Sequence, residues 1–218
     1  YTMLSKLFGS SFNKSNNDES NDFFNTKNAN CKSAQERLMH DLQKVLQTDP
    51  KNGFEVVPDE DNIYRWQVFL TFEMDSQIFQ DMLLYEDETK RNKVCIEILF
   101  PSTYPNEPPF MRIVYPRFHQ YTGHITIGGS LCIVDLTLTG WKPENDIETF
   151  IVLIRNLLME GGALINLDNL NDYTIAEARE AFQRVAKQHN WKTSVVKPTP
   201  SPVIKPIDPS INNDVAND

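Results

Sequence analysis

The sequence predicts an α+β domain, in which a helix precedes an antiparallel meander, a long irregular segment follows, and two helices close the fold. Three observations predict it: helical apolar periodicity at both ends of the domain, strand periodicity clustered in the middle, and a stretch of turn residues between them. Strands that follow one another without long intervening helices favour antiparallel pairing. The 218 residues, 40% of them apolar, suffice for one core with tails.

Charge balance and cysteine content argue against several classes of protein. Acidic residues number 30 against 21 basic, a net charge of −9, whereas a general nucleic-acid binder needs clustered cations. No apolar run approaches the ~20 residues of a membrane span, and no signal-peptide pattern opens the chain. The three cysteines show no CxxC spacing, so neither a disulfide scaffold nor a metal site is expected. A reducing compartment, cytoplasmic or nuclear, fits best.

Composition divides the chain into three parts. Residues 1–31 are rich in Asn, Ser and Asp and bury too little apolar area to offset their ordering entropy, so we predict a disordered arm. Residues 192–218 repeat proline among small and polar residues, as flexible tails do. The folded core is therefore expected at 32–191.

The first element of the core is a helix. Apolar residues at 38, 42, 45 and 46 share one helical face. Ser33 is the expected N-cap, with Glu36 three residues later completing a capping box. The helix should end before Asp49-Pro50.

The meander follows. Apolar and polar residues alternate over 64–72 and again over 94–100, which predicts two strands with one buried face each. A further strand is expected at 110–115, after a double proline. Residues 76–86 fit a short helix or a strand, and periodicity does not decide between them.

A long segment rich in turn residues, 116–145, separates the meander from the final helices and is of the kind that often carries a site. The next helix extends from Ile147 to Leu158 and should stop at Gly161-Gly162. Thr174, with Glu177 three residues later, is expected to cap the last helix.

Cys132 ends the run Gly-Gly-Ser-Leu-Cys, in which Gly128 and Gly129 permit close backbone approach and unusual dihedral angles. Such a thiol acts as a nucleophile if its surroundings favour the thiolate, and is a buried structural residue otherwise. The local sequence leaves both readings open. Cys95, in a predicted strand, and Cys31, in the arm, are expected to be chemically idle.

Histidines supply the remaining candidates for chemistry. His124 lies eight residues before Cys132, where it can donate a hydrogen bond to a developing oxyanion or serve as a base. His119, nearby, has a weaker claim and reads as a surface residue. His189 ends the last helix, where a cation is favoured, and is a second candidate base.

Several motifs in their order and spacing resemble the ubiquitin-conjugating enzymes. That family has a strand ending in Phe-Pro, then Tyr-Pro-x-x-Pro-Pro, a loop, Gly-x-(Ile/Leu)-Cys and a Trp-Ser-Pro segment. Here they fall at Phe100-Pro101, Tyr104-Pro105, Pro108-Pro109, Gly129 to Cys132, and Trp141-Lys142-Pro143. The resemblance covers about 34–191 and implies the family's α+β fold.

The resemblance implies a function for Cys132. It would accept ubiquitin or a ubiquitin-like modifier as a thioester from an activating enzyme and transfer it to an acceptor, usually a lysine. The family binds no metal or cofactor, and ATP is used by the activating enzyme upstream. Arg37 and Lys44 on the first helix, and Pro143, are the candidates for partner contacts. Neither nucleic acid nor membrane is an expected partner.

Two departures from the family pattern matter. The family's His-Pro-Asn is missing, and its asparagine position is occupied by His124. Together with the segment 76–91, this looks closest to the divergent Q-type branch, which is associated with hydroxyl as well as lysine acceptors. Ligase-contact positions carry Asn106 and Glu144, which weaken an apolar contact. A ligase would then use a non-standard surface, or the enzyme would choose its substrates directly.

A second function remains open. Non-catalytic members of the same fold, which bind ubiquitin or other proteins, share the Tyr-Pro and Pro-Pro signature but lack the active-site cysteine. Cys132 within Gly-x-Leu-Cys favours the enzyme.

Overall fold

The computed structural model describes residues 25–194, with side chains for 34–49 and 51–194. Its elements in chain order are α1 (Asn25–Gln47), β1 (Phe54–Pro58), β2 (Arg65–Leu70), α2 (Gln77–Thr89), β3 (Val94–Leu99), β4 (Phe110–Tyr115), α3 (Ile147–Glu160) and α4 (Ile175–Gln188). Short 3₁₀ turns lie at Pro50–Asn52 and Val134–Leu136. The predicted α+β class and order of elements are confirmed.

Helix α1 begins earlier than the sequence predicts. It starts at Asn25, so Ser33 lies inside the helix rather than at its N-cap, and residues 25–31 are helical rather than disordered. Serine and asparagine in a helix interior cost only about 0.5 kcal/mol each, so a good capping residue does not by itself stop a helix. The rest of the predicted arm, 1–24, and residues 195–218 of the predicted tail lie outside the described part.

Four antiparallel strands form one sheet in the order β1-β2-β3-β4, so the predicted antiparallel meander is confirmed. It contains one strand that is not predicted, and the segment 76–86 is not one of its strands. The strand that the sequence does not predict is β1, in which Phe54 pairs with Leu70 of β2. The strand β1 is only five residues long and bounded by turns, so its sequence shows little alternation of apolar and polar residues. The undecided segment 76–86 belongs to α2, which Ser76 caps by accepting a hydrogen bond from the Phe79 amide.

The helices α1 and α3 contact each other. One face of the sheet supplies buried Trp66, Val68, Ile96 and Ile98. One stripe of α3 supplies five more buried apolar residues: Ile147, Phe150, Ile151, Ile154 and Leu158. Trp141 joins this core: its indole N–H donates to the Pro105 carbonyl at 2.6 Å, and its ring lies 5.5 Å from that of Phe150. The Tyr-Pro and Trp-Lys-Pro segments are therefore neighbours in space.

Helix α4 forms one wall of the candidate site. The predicted capping box is present, with Thr174 accepting from the Glu177 amide and the Glu177 carboxylate accepting from the Thr174 amide. Arg117 then pairs with Glu177 at 3.0 Å, and the Phe110 and Phe182 rings meet edge to face at 5.7 Å. These contacts tie the start and the middle of α4 to the sheet and to the long loop.

Candidate active site

Cys132 lies on a short hairpin within the long loop. The Thr126 amide donates to the Ser130 carbonyl at 2.9 Å, and the Cys132 amide donates to the His124 carbonyl at 2.8 Å. Between these bonds, Ile125 pairs with Leu131. The buried hydroxyls of Thr126 and Ser130 are 2.7 Å apart and hydrogen-bond each other. This ladder holds the thiol-bearing strand in a fixed register against the strand of His124.

The two glycines before Cys132 are required by packing. Gly129 has a φ of +88°, and a Cβ there would lie 2.6 Å from the Tyr173 ring. A Cβ at Gly128 would lie 2.1 Å from the backbone oxygen of Glu177. The glycine pair therefore lets the hairpin tip lie directly against Tyr173 and α4, which adds a structural reason to the one inferred from sequence.

The Cys132 thiol is half-buried and borders an open cleft of about 640 Å³. Partial burial raises its pKa above the ordinary value because the thiolate loses hydration. No charged neighbour offsets that effect. At neutral pH the group is therefore mainly a protonated thiol, and a base or a pre-formed acyl carrier must promote its reaction.

The structure brings the two candidate histidines to the same cleft. His124 and His189 both line it beside Cys132, although 65 residues of chain separate them. His124 is exposed, with a φ of +57°, and its ring packs toward Gly161, where a Cβ would meet the ring at 3.3 Å. His189 ends α4 and stacks on Trp191, with ring centroids 4.8 Å apart. His119 does not line this cleft.

One wall of the cleft was not anticipated from sequence. Helix α4 contributes Ala181, Arg184, Val185 and Gln188 as well as His189. Their spacing of three and four residues places them on one helical face, which the sequence periodicity predicts. The periodicity does not predict which loop that face contacts. Of the lining residues in the described ranges 34–49 and 51–194, Arg184 is the one with a permanent charge, and none is a carboxylate.

The residues predicted to contact partners make intramolecular bonds. Arg37 donates to both Asp41 oxygens, to the Pro143 carbonyl and to the Asn145 carbonyl, the last two at 2.7 Å. Lys44 pairs with Asp146 and Glu148. These bonds fasten α1 to the Trp-Lys-Pro segment and to the start of α3. Partner binding by Arg37, Lys44 and Pro143 stays a prediction.

The other cysteine with a described side chain has the surroundings of a structural residue. Cys95 is buried in β3, and burial raises its pKa to about 11. The side chain of Cys31 lies outside the described set. Within residues 25–194, no group of three or more His, Cys, Asp and Glu side chains is arranged to hold a metal ion. None of the described helices is long and apolar enough to cross a membrane.

Comparison with known proteins gives consistent matches. Residues 37–190 match the family model described as ubiquitin-conjugating enzyme. The chain is 31% identical over 170 residues to the ubiquitin-conjugating enzyme E2 25 of Caenorhabditis elegans, covering 73% of this chain and 43% of that protein. It is 26% identical over 179 residues to the human ubiquitin-conjugating enzyme E2 Q1, covering 79% and 42%.

The chain thus spans less than half the length of these two curated relatives. Among solved structures, human ubiquitin-conjugating enzyme E2 G1 is similar with a TM-score of 0.46 and 22% sequence identity. The match covers 59% of this chain and 95% of that one.

Proposed function

The chain belongs to the ubiquitin-conjugating enzyme family, and from this membership we propose that it carries ubiquitin, or a ubiquitin-like modifier, as a thioester on Cys132. The observation that carries the proposal is the position of that thiol. Cys132 is half-buried on a rigid hairpin beside an open cleft, so an incoming acyl group can reach the sulfur. The similarity to the E2 Q1 proteins agrees with the Q-type resemblance of the sequence.

The first step is thioester exchange. The Cys132 sulfur attacks the carbonyl carbon of the modifier's C-terminal thioester, the bond from that carbon to the activating enzyme's sulfur breaks, and the proton leaving Cys132 goes to the departing thiolate. No oxidant or reductant is needed. We propose that this chain needs no bound cofactor, and that ATP is used earlier, by the activating enzyme that forms the first thioester.

The second step transfers the modifier. An acceptor nitrogen or oxygen attacks the thioester carbon, the bond from carbon to the Cys132 sulfur breaks, and the proton lost by the acceptor restores the thiol. His124 faces Cys132 across the hairpin and lines the same cleft. An imidazole there can donate a hydrogen bond to the developing oxyanion or take the acceptor's proton, whereas the family's usual asparagine amide can donate the hydrogen bond but cannot take a proton near neutral pH.

His189 is the second candidate base. It borders the cleft from the end of α4 and stacks on Trp191, which limits the orientations that its ring adopts. A hydroxyl acceptor, which holds its proton tightly at neutral pH, gains more from such a base than an amine. We therefore propose that the acceptor is a lysine amine or a hydroxyl, with the histidines favouring the second.

Partners follow from the same chemistry. The activating enzyme must present the modifier to Cys132, and its docking to α1 would require Arg37 and Lys44 to exchange the internal bonds described above. Asn106 and Glu144 make a ligase contact of the family's usual apolar kind unfavourable, so a ligase would use another surface. We place the reaction in the cytoplasm or nucleus, where the thiols stay reduced.

A charging assay tests the proposal. The protein is incubated with activating enzyme, ATP and ubiquitin, and the adduct is separated with and without reductant. A reductant-sensitive adduct should form with the wild type and with Cys95→Ala, and should be absent with Cys132→Ala. Ubiquitin binding by NMR titration without any adduct would instead support the alternative, a non-catalytic binding module of the same fold.

The histidine roles need a separate assay. The preformed thioester is isolated and its discharge to free lysine and to a serine peptide is measured for His124→Ala and His189→Ala. If the replaced histidine is the base, the discharge rate to serine should fall by about tenfold or more beyond the fall in the discharge rate to lysine. Equal losses for both acceptors, or none, would remove the base role.

A further inference from the structure

We propose that the cleft beside Cys132 selects acceptor peptides that carry negative charge next to the acceptor group, and that Arg184 is the side chain that recognises this charge. This inference rests on the proposed transferase function and specifies its substrate class. It is carried by the charge of the cleft lining, by the free donors of Arg184 and by the extension of the cleft into a second cavity.

The lining of the cleft has the opposite sign to the chain as a whole. The protein carries a net charge of −9, yet among the residues that the structure describes no Asp or Glu lines the 640 Å³ cleft. Within that described lining, the one permanently charged group is the Arg184 guanidinium, and the imidazoles of His124 and His189 line the same cleft. An acceptor ammonium group, or a flanking lysine, therefore meets a cation and finds no carboxylate partner in this lining.

The N–H donors of the Arg184 guanidinium are available to a ligand. Its side chain is 65% exposed, and its one ionic contact in the described part of the chain is Glu180 on the preceding turn, at 3.7 Å. That distance is too long for a hydrogen bond, and an exposed pair of this kind contributes little. Arg117 differs, because its guanidinium donates to the backbone of Asn171 and to the Glu177 carboxylate.

The cleft continues into a second cavity. This cavity of about 490 Å³ shares Gln120 and Ile127 with the cleft. It adds Arg117, His119 and the polar amides Asn166 and Asn169, and no carboxylate among the described residues. Because Glu177 already pairs with Arg117, a peptide that extends from Cys132 past Ile127 meets its main attraction at Arg184 and mainly polar groups beyond it.

The expected size of the preference is modest. An exposed guanidinium and a flexible carboxylate contribute as a surface ion pair does, which corresponds to about a threefold difference in rate. Reversing the charge at position 184 turns attraction into repulsion, so the preference should invert. Raising the ionic strength shortens the screening length from about 10 Å at 0.1 M to about 3 Å at 1 M and should flatten it.

The experiment is single-turnover discharge of the isolated Cys132–ubiquitin thioester. The acceptors are acetylated, amidated pentapeptides with a central serine or a central lysine, flanked by glutamates or by arginines. The variants are Arg184→Glu and, as a matched control, Lys187→Glu, which makes the same charge change on the same helix outside the cleft lining. Charging of each variant is measured first.

The wild type and Lys187→Glu should discharge glutamate-flanked peptides about threefold faster than arginine-flanked peptides, and Arg184→Glu should reverse the order. Equal rates on both peptides in the wild type would overturn the inference while leaving the proposed function intact. The inference would also be overturned if Arg184→Glu changed the discharge rate by the same factor for both peptides, because Arg184 would then act on the modifier and not on the acceptor. If the wild type fails to charge, the proposed function itself fails.

Discussion

The Cys132 amide donates a 2.8 Å hydrogen bond to the His124 carbonyl, so these two residues face each other across one hairpin. The turn at Ile127–Gly129 pairs Thr126 with Ser130 and Ile125 with Leu131, and the same register places His124 opposite Cys132. Because the same turn packs on Tyr173 and α4, the position of the thiol depends on contacts well outside the loop.

Gly129→Ala should therefore damage both stability and charging. A Cβ at this position combines an unfavourable φ of +88° with a contact of 2.6 Å to the Tyr173 ring. We expect a loss of about 3 kcal/mol in the free energy of unfolding, measured by urea denaturation, and a fall in charging rate. Gly162→Ala is the control, since it has a φ of +61° but no atom within 4 Å, and should cost about 1 kcal/mol. Equal costs would contradict the packing argument.

Arg37→Ala should destabilise the fold more than a surface substitution does. The Asp41 carboxylate is 4% exposed and accepts hydrogen bonds from Arg37 and, at 2.5 Å, from the Tyr104 hydroxyl. Without Arg37 a buried charge loses its cationic partner, so we expect about 3 kcal/mol of destabilisation in urea denaturation. Arg37→Lys should restore only part of the lost free energy of unfolding, because one ammonium group cannot replace the forked guanidinium.

The matched control for Arg37 is Arg65→Ala. Arg65 also bonds a buried carboxylate, that of Glu97, but Glu97 keeps Arg112 at 2.6 Å. The loss should therefore stay within about 1 kcal/mol. If Arg65→Ala costs as much as Arg37→Ala, the loss of the arginine partner of Asp41 is not what destabilises the Arg37 variant.

Glu177 gives a stability difference that depends on pH. The Thr174 amide, followed by Arg117, lowers the pKa of this carboxyl from 4.5 to about 2. A lowered pKa in the folded state means that the stabilisation is present above about pH 4.5 and is lost as the pH falls through about 2. Thermal melts should show Glu177→Gln below the wild type at pH 7, with the gap closing toward pH 2. A gap that is constant with pH would contradict this.

Alkylation of Cys132 should be slow at neutral pH. Burial raises the pKa of this thiol above its ordinary value of 9.0, so the thiolate is scarce at pH 7. In a variant with Cys31 and Cys95 replaced by serine, the iodoacetamide rate should keep rising through pH 9. A plateau below pH 8 would indicate a thiolate stabilised by an imidazolium, and so a direct contact of Cys132 with His124 or His189.

Local signals in the sequence were enough for most of the fold. The strand over 94–100 and the capping box of Thr174 and Glu177 are decided by neighbouring residues, and both are confirmed. The single buried face predicted for that strand is wrong, because Cys95 and Glu97 on its other face are buried as well. The N-cap at Ser33 is wrong, because capping preference is weak against helix propagation. The strand β1 is not predicted, because five residues alone do not specify a strand and it is the pairing with β2 that stabilises it.

The candidate site was predictable only in part. Cys132 stands out because its motif is local, and His124 because it lies eight residues away. That His189 and Arg184 border the same cleft depends on how α4 crosses the hairpin, which is set by Tyr173 and Arg117. Contacts between segments so distant in sequence are fixed by packing, which residue periodicity does not encode.

The intact mass of Cys132→Ser after incubation with activating enzyme, ATP and ubiquitin decides whether residue 132 accepts the acyl group. A serine at the acyl-accepting position should form an ester, so the adduct should resist reductant and be released by hydroxide, whereas the wild-type adduct is released by reductant. Fragmentation should place the ester on residue 132. An adduct that persists in Cys132→Ala, or one that maps to another residue, would contradict the assignment of this thiol as the acyl acceptor.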